Sequence, residues 1–155
     1  MKTRRHHRPP IRLRVKCAAD FLALTDDSGE PLIPWEHAKE GTIAILHEVA
    51  NSGLASFLAV LKAFGDVPSP GMMSFPKPGI TVALDFPIKP DKTFPLVHRL
   101  ADMTDEFGGR LYPAKDAAMT AAQFQSFYPQ WQQFARFRDP LFTSSFWERV
   151  TSNLA

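Results

Sequence analysis

Prolines divide this sequence into segments and limit the structures that it can form. The chain has 14 prolines among 155 residues, and proline is disfavoured inside helices and in the hydrogen-bonded ladders of central strands. The densest region, residues 65–79, contains four prolines and three glycines and is predicted to be a long loop. The sequence therefore predicts short strands and helices joined by proline-containing loops.

Two segments that flank this loop are predicted to be strands. Residues 56–64 form an apolar run whose length and flanking breakers favour a buried strand, although periodicity alone does not separate it from a helix. Residues 80–86 alternate large apolar side chains with small or polar ones, among them Thr81 and Ala83. This alternation predicts one buried face and a second face that could line a cavity. In the first strand, Lys62 would project from an otherwise apolar side.

Apolar residues at helical spacing predict two helices beside these strands. The first opens at Pro34, which a first helical turn tolerates, and ends before Gly53. Its predicted apolar residues are Ile43, Leu46, Val49 and Ala50. The second extends from about Thr93, a suitable N-cap, to Phe107, where a pair of glycines terminates it.

The tail beyond residue 111 is predicted to be helical. Two residue pairs have capping-box spacing, in which each side chain satisfies the free amide of the other residue: Thr120 with Gln123, and Ser145 with Glu148. A short strand at residues 110–112 precedes this tail. Together the segments predict an α+β fold, an antiparallel sheet flanked by helices with an all-helical C-terminal tail.

Charge is distributed unevenly along the chain, although the net charge is only +2. Residues 1–16 hold seven basic and no acidic residues, which leaves 11 basic and 16 acidic residues, a net −5, in the remainder. Residues 1–33 show little pattern beyond a short strand near residues 11–15 and are predicted to be a loosely ordered basic head. Because the body is acidic, we expect no nucleic-acid surface spread over the fold.

Several classes of site are disfavoured by composition. The single Cys17 excludes an intramolecular disulfide and a cysteine-based zinc site, and the histidines lack metal-site spacing, so we expect no metal. The longest charge-free stretch, residues 117–135, contains five glutamines and is too polar for a transmembrane segment. We therefore expect a cytoplasmic protein, with attachment of the basic head to an acidic membrane surface as a further option.

Residues 108–116, G-G-R-L-Y-P-A-K-D, are the strongest candidate for a site. A glycine pair ends a helix, and a short strand then carries Tyr112 and Lys115 into a proline-constrained turn. Such a turn holds a phenol and an ammonium on a rigid support, as a binding site requires. The alternative is a solvated turn in which Lys115 pairs with Asp116, which is the commoner outcome for charged turns.

A group of motifs in a fixed order resembles the C-terminal part of FAD-linked oxidases of the vanillyl-alcohol-oxidase superfamily, in the branch of the decaprenylphosphoryl-ribose and aldonolactone oxidases. The resemblance covers about residues 33–150. The motifs are S-F-L-A-V-L-K-A-F-G at 56–65, S-F-P at 74–76, P-G at 78–79, D-F-P-I at 85–88, G-G-R-L-Y-P-A-K-D at 108–116, Y-P at 128–129 and D-P at 139–140.

The resemblance implies a two-domain flavoenzyme. One domain binds FAD, and a cap domain with an antiparallel sheet holds an alcohol-bearing substrate whose hydride passes to the flavin. Residues 34–111 would be part of the cap, and residues 112–155 would pack on the flavin domain. By their places in the motifs, Lys115 would be catalytic and Tyr112 would contact the flavin. The substrate-binding residues would be Lys62, Thr81 and Ala83.

The FAD-binding half of the family pattern is not present in this sequence. We therefore expect a C-terminal fragment of an FAD-dependent oxidoreductase, inactive without a flavin domain, that acts on the alcohol group of a sugar, an aldonolactone or a related small molecule. Its expected partners are a separate flavin-domain chain and further copies of itself, which would associate through exposed aromatic residues. The alternative is a non-catalytic binding domain that retains the cap fold.

Overall fold

The computed structural model describes residues 13–14, 26–56, 58–115 and 118–151. These residues form an antiparallel sheet with helices, in agreement with the predicted α+β class. The strands are β1 (Leu13–Arg14), β2 (Asp26–Gly29), β3 (Pro31–Pro34), β4 (Leu58–Phe64), β5 (Gly79–Pro87), β6 (Arg110–Leu111) and β7 (Phe142–Thr143). The main sheet has the lateral order β4, β5, then β2 with β3, then β6. The short strands β1 and β7 pair separately and in parallel.

Strands β2 and β3 behave as one strand along the edge of β5. Gly29 lies opposite Leu84 and Leu32 lies opposite Thr81, so both pairs belong to one continuous antiparallel register. The structure therefore differs from the expected loosely ordered head at residues 26–33, which form a central strand. The rest of that predicted head, apart from β1, lies outside the described residues.

Five helices accompany the sheet in the described part of the chain. They are α1 (Ala38–Asn51), α2 (Pro90–Glu106), α3 (Ala121–Phe127), α4 (Trp131–Ala135) and α5 (Ser145–Val150), with short 3₁₀ turns at Trp35–His37 and Pro113–Lys115. Helices α1 and α2 cover one face of the sheet. Side chains from α1 and α2 meet Ile33, Val82, Leu84 and Phe86 there in the main core. None of the described helices is long and apolar enough to cross a membrane.

Helix α1 packs through a face that shares only Val49 with the predicted one. The helix begins at Ala38, after a 3₁₀ turn, and its buried positions further along are Gly41, Ile45 and Val49. Ile43 and Leu46 are 47% and 41% exposed, so their assignment to the packed face is wrong. The absence of a side chain at Gly41 lets this face of α1 approach the sheet, because a Cβ there would press against the Ile33 side chain and the Phe107 ring.

Helix α2 follows the predicted pattern, with Leu96, Leu100 and Met103 buried against the sheet. It begins three residues before Thr93, at a proline in the first turn. Thr93 nevertheless secures this end, because its hydroxyl donates to the Pro87 carbonyl (2.7 Å) and accepts from the Lys89 amide (3.0 Å).

The C-terminal segment forms a second core against α2 and β6. Its buried side chains include Met119, Phe124, Phe127, Tyr128 and Val150. The capping box of Thr120 and Gln123 is confirmed at the start of α3. The predicted pair at the start of α5 is wrong, because Ser144 is the N-cap and accepts from the Trp147 amide (3.1 Å). The tail also contains β7, so it is not entirely helical.

Candidate functional site

The face of the sheet opposite α1 and α2 carries the polar residues of β5. Side chains alternate between the two faces of a strand, so Thr81, Ala83 and Asp85 share this face while Val82 and Leu84 enter the main core. In the register of the β4–β5 pair, Lys62 lies opposite Thr81. The three predicted substrate-binding residues, Lys62, Thr81 and Ala83, are therefore neighbours on one face.

Glu30, between β2 and β3, is the central acceptor on this face. Its Oε1 atom accepts from Lys62 Nζ at 2.7 Å and from Thr81 Oγ1 at 3.1 Å. Its side chain is only 3% exposed, whereas that of Lys62 is 45% exposed. The carboxylate therefore fixes the inner side of the lysine, and the ammonium remains accessible from solvent.

Sequence reasoning missed Glu30 because it fell within the predicted disordered head. The available signal was the apolar pair Leu32-Ile33, which is fully buried and continues the strand that contains Glu30. Only the sheet register shows that the Glu30 side chain faces Lys62 and Thr81, because the three residues come from different strands.

Lys115 reaches the same face from the 3₁₀ turn that follows β6. Its Nζ lies 3.7 Å from Asp85 Oδ1, and both side chains are partly exposed. The contact is long and accessible to solvent, a class of ion pair that contributes about 0–1 kcal/mol. Asp85 therefore orients Lys115 only loosely. The alternative partner, Asp116, lies outside the described residues.

Tyr112 forms an aromatic border beside these charges. Its amide donates to the Glu30 carbonyl at 3.1 Å, which extends the pairing of β6 with the central strand. Its ring lies 4.8 Å from that of Phe75, which in turn meets Phe64 edge-on at 6.0 Å. Phe75, which belongs to the S-F-P motif in the proline-rich loop, lies at the border of the site, a position that the sequence did not predict.

We call these residues the sheet-face cluster; its members are Glu30, Lys62, Thr81, Ala83, Asp85, Tyr112 and Lys115. Thr81 and Asp85 are four residues apart on one strand, about 13 Å at the usual rise per residue. Lys62, opposite Thr81, and Lys115, beside Asp85, therefore lie at opposite ends of this stretch of β5, and Ala83 is at its middle. Each ammonium can donate hydrogen bonds to an oxygen atom of a bound molecule.

The cluster suits contact with part of a flavin. Lys115 can donate to a ring oxygen or stabilise negative charge on the ring, and the Tyr112 phenol is a polar group on an aromatic support. The sequence has no G-x-G-x-x-G or P-loop motif with which to bind a pyrophosphate. The chemistry of these residues is thus compatible with contact to one side of a flavin ring. The described residues contain no cluster of three or more metal-ligating side chains.

Comparison with known proteins gives two informative relatives. A decaprenylphosphoryl-β-D-ribose oxidase from Mycolicibacterium smegmatis is 41% identical over 110 residues, which cover 69% of this chain and 23% of that protein. An uncharacterised protein in the mprA 5′ region of Streptomyces coelicolor is 32% identical over 111 residues, 72% of this chain and 29% of that protein. The chain thus spans about a quarter of the length of these curated relatives. No protein-family model matches it.

Proposed function

Because the chain belongs to the FAD-linked oxidases of the decaprenylphosphoryl-ribose oxidase type, as the counterpart of their C-terminal part, we propose that it forms the substrate side of an FAD-dependent oxidoreductase. The reaction is the oxidation of an alcohol group on a sugar, a lactone or a related small molecule. The observation that carries this proposal is the presence of Lys62, Thr81, Tyr112 and Lys115 on one face of the sheet.

Lys115 is the proposed catalytic residue of this site. An alcohol that loses a hydride from carbon must also lose the proton of its hydroxyl group, and negative charge develops on that oxygen. The proton would pass to solvent water, which reaches the partly exposed Lys115 and Asp85 side chains. An ammonium that donates a hydrogen bond to the oxygen stabilises this charge. The long contact to Asp85 (3.7 Å) leaves the ammonium free to make such a bond.

Lys62 and Thr81 are the proposed binding residues. Lys62 is held by Glu30 through one hydrogen, and an ammonium has three donors. The remaining donors can bind another hydroxyl of the substrate. Ala83 lies between the two lysine sites on β5, and its small side chain leaves room above the sheet.

FAD, when bound, would supply the acceptor for the substrate hydride. Tyr112 and Lys115 are the residues of this chain that would contact the flavin ring. The groups that hold the rest of FAD would come from sequence outside these 155 residues, in the same or another chain. A few ring contacts replace neither the pyrophosphate nor the adenine contacts of a full site, so we propose that these residues alone neither hold FAD tightly nor turn over substrate.

The proposal can be tested in a chimera of the Mycolicibacterium smegmatis oxidase in which this chain replaces the matching segment. We expect bound flavin that decaprenylphosphoryl-β-D-ribose reduces under anaerobic conditions. Lys115→Met should slow that reduction by about 100-fold and retain the flavin, whereas the exposed Lys89→Met should change neither. Full reduction rates in the Lys115→Met chimera would contradict the catalytic role. Tight stoichiometric FAD on the 155-residue chain alone would contradict the proposed division of the site.

A non-catalytic binding domain is the second candidate. The observation that favours it is the pairing of both lysines with carboxylates, because a paired ammonium is less available to a reacting oxygen. A chimera that binds flavin and substrate without any flavin reduction would support this candidate over the enzyme.

A further inference from the structure

A second region of the chain also concentrates positive charge. The proline-rich loop of residues 65–78 and the connection between α3 and α4 enclose a cavity of about 260 Å³, which we call the loop cavity. Lys77 and Arg110 line it, and Asp66 is the acidic residue among the described residues of its wall. No member of the sheet-face cluster lines this cavity in the described part of the chain.

Both cations are held in place by backbone carbonyl groups. Lys77 Nζ donates to the Gly108 carbonyl at 2.6 Å, and Arg110 Nη1 donates to the Ser74 carbonyl at 3.1 Å. The Arg110 guanidinium also lies 5.5 Å from the centre of the Tyr128 ring. These contacts fix the positions of the two charged groups but supply no negative charge.

The charges of Lys77 and Arg110 are only partly offset within the described residues, by the attraction of Glu36 for Lys77 and of Tyr128 for Arg110. Neither side chain forms an ion pair there, and the buried Arg110 Nε has no hydrogen-bond partner. Burial lowers the pKa of Lys77 below its usual value, repulsion from Arg110 lowers it further, and attraction to Glu36 offsets part of this lowering. Burial also lowers the pKa of Arg110. Asp66 is exposed, where solvent screens its charge.

We propose that the loop cavity binds a small oxyanion, a phosphate or a carboxylate group, between Lys77 and Arg110. An anion there would offset the repulsion between the two cations and could give the guanidinium an acceptor in the bidentate geometry that arginine favours. The volume lies just below the range of about 300–1,000 Å³ for small-molecule pockets. The cavity therefore suits a free anion or the charged end of a larger molecule.

The proposal can be tested by nuclear magnetic resonance on the ¹⁵N-labelled full chain. Sodium phosphate, ribose 5-phosphate and sodium acetate would each be titrated at constant ionic strength against sodium chloride. We expect a saturable shift of the Arg110 Nε–H signal with at least one of the three anions. Saturation by phosphate or its ester identifies a phosphate site, and saturation by acetate alone identifies a carboxylate site. The absence of saturation with all three anions would overturn the proposal.

Two substitutions at Lys77 separate specific binding from general charge attraction. Lys77→Met should weaken the anion affinity at least tenfold, whereas Lys77→Arg, which keeps the charge, should remain within a few-fold of the natural chain. Lys39→Met removes an exposed lysine on α1 outside the cavity and should leave the affinity unchanged. Equal affinities for the natural chain and a folded Lys77→Met variant would contradict the assignment of the site to these two cations.

Discussion

Glu30 depends on its partners more than any other charged residue of the sheet-face cluster, because its carboxylate is almost completely buried. Removing one partner of a buried ion pair leaves a charge that the interior solvates poorly. Lys62 is nearly half exposed, so water compensates part of the loss. The ion pair therefore reduces the free-energy cost of burying the Glu30 carboxylate within the sheet.

We predict that Lys62→Met destabilises the chain by about 1–2 kcal/mol, since among the described residues the Glu30 carboxylate then keeps only the Thr81 hydroxyl as a hydrogen-bond donor. The double variant Lys62→Met with Glu30→Gln should recover most of this loss, because it removes the unpaired charge. Urea unfolding of the two single variants and the double variant measures the coupling. Strictly additive effects would show that the pair does not stabilise the sheet.

The lowered pKa of Lys77 predicts that the stability of the chain depends on pH. Its pKa is lowered in the folded chain, so between the folded and unfolded pKa values the unfolded state binds more protons. The free energy of unfolding then rises with pH between the two pKa values. Below the folded pKa, the full destabilisation caused by burying the protonated Lys77 is present. The natural chain should therefore gain stability relative to Lys77→Met as the pH is raised from 7 toward 10. Urea unfolding in phosphate-free buffer measures this difference, and a pH-independent difference would contradict the depressed pKa.

At the scale of elements, the start of β5 requires glycine. Gly79 has a φ of 156° and lies beside the central strand, and a Cβ there would collide with the carbonyl of Ile33. That carbonyl belongs to a paired strand and has little freedom to move.

We predict that Gly79→Ala destabilises the chain by about 2–3 kcal/mol, because the added Cβ would collide with the backbone carbonyl of Ile33. Gly65→Ala is the matched control, because a Cβ at Gly65 meets nothing within 4 Å, and its effect should stay within about 0.5 kcal/mol. Thermal unfolding of both variants makes the comparison. Similar melting temperatures for the two variants would show that the strand edge can move to accept the side chain.

The elements that the sequence predicted well have local determinants. The alternation in β5, the apolar stripe of α2 and the capping box of α3 each depend on residues within a few positions of one another. Residues 26–29 also have a local signal, but their turn-forming side chains indicate a loop. Pairing with β5 overrides that preference, because strand formation depends on neighbouring strands more than on intrinsic propensity.

The same contrast applies to the sheet-face cluster. The motifs indicated Lys62 and Lys115, and the alternation of β5 placed Thr81 and Ala83 on one face. The acidic partners Glu30 and Asp85 could not be assigned in advance, because the Glu30–Lys62 and Asp85–Lys115 contacts depend on which strands are adjacent. Sequence patterns thus predicted the cations of the site, and the sheet register determined their counter-charges.

At the scale of the whole molecule, the exposed apolar surface includes part of the aromatic C-terminal tail, where Phe137 is 74% and Phe142 is 49% exposed. Much of the aromatic tail, including Phe124, Phe127 and Phe146, packs within the second core. Large exposed apolar side chains also occur on β4, where Leu58 is 53% and Leu61 is 61% exposed. Among the described residues β4 pairs only with β5, so it is an edge strand of this sheet there. An apolar strand with an open edge is a site for pairing with another chain.

We therefore predict that the 17.4 kDa chain self-associates through β4 when it is purified alone. Size-exclusion chromatography with light scattering should give a mass above that of the monomer, increasing with concentration. Leu61→Lys should shift the mass toward the monomer, because lysine on an edge strand opposes pairing and the exposed Leu61 loses little packing. Val67→Lys adds the same charge at an 85% exposed position of the proline-rich loop and should not change the mass. A monomeric natural chain at every concentration, or equal effects of the two substitutions, would show that the β4 edge is not the associating surface.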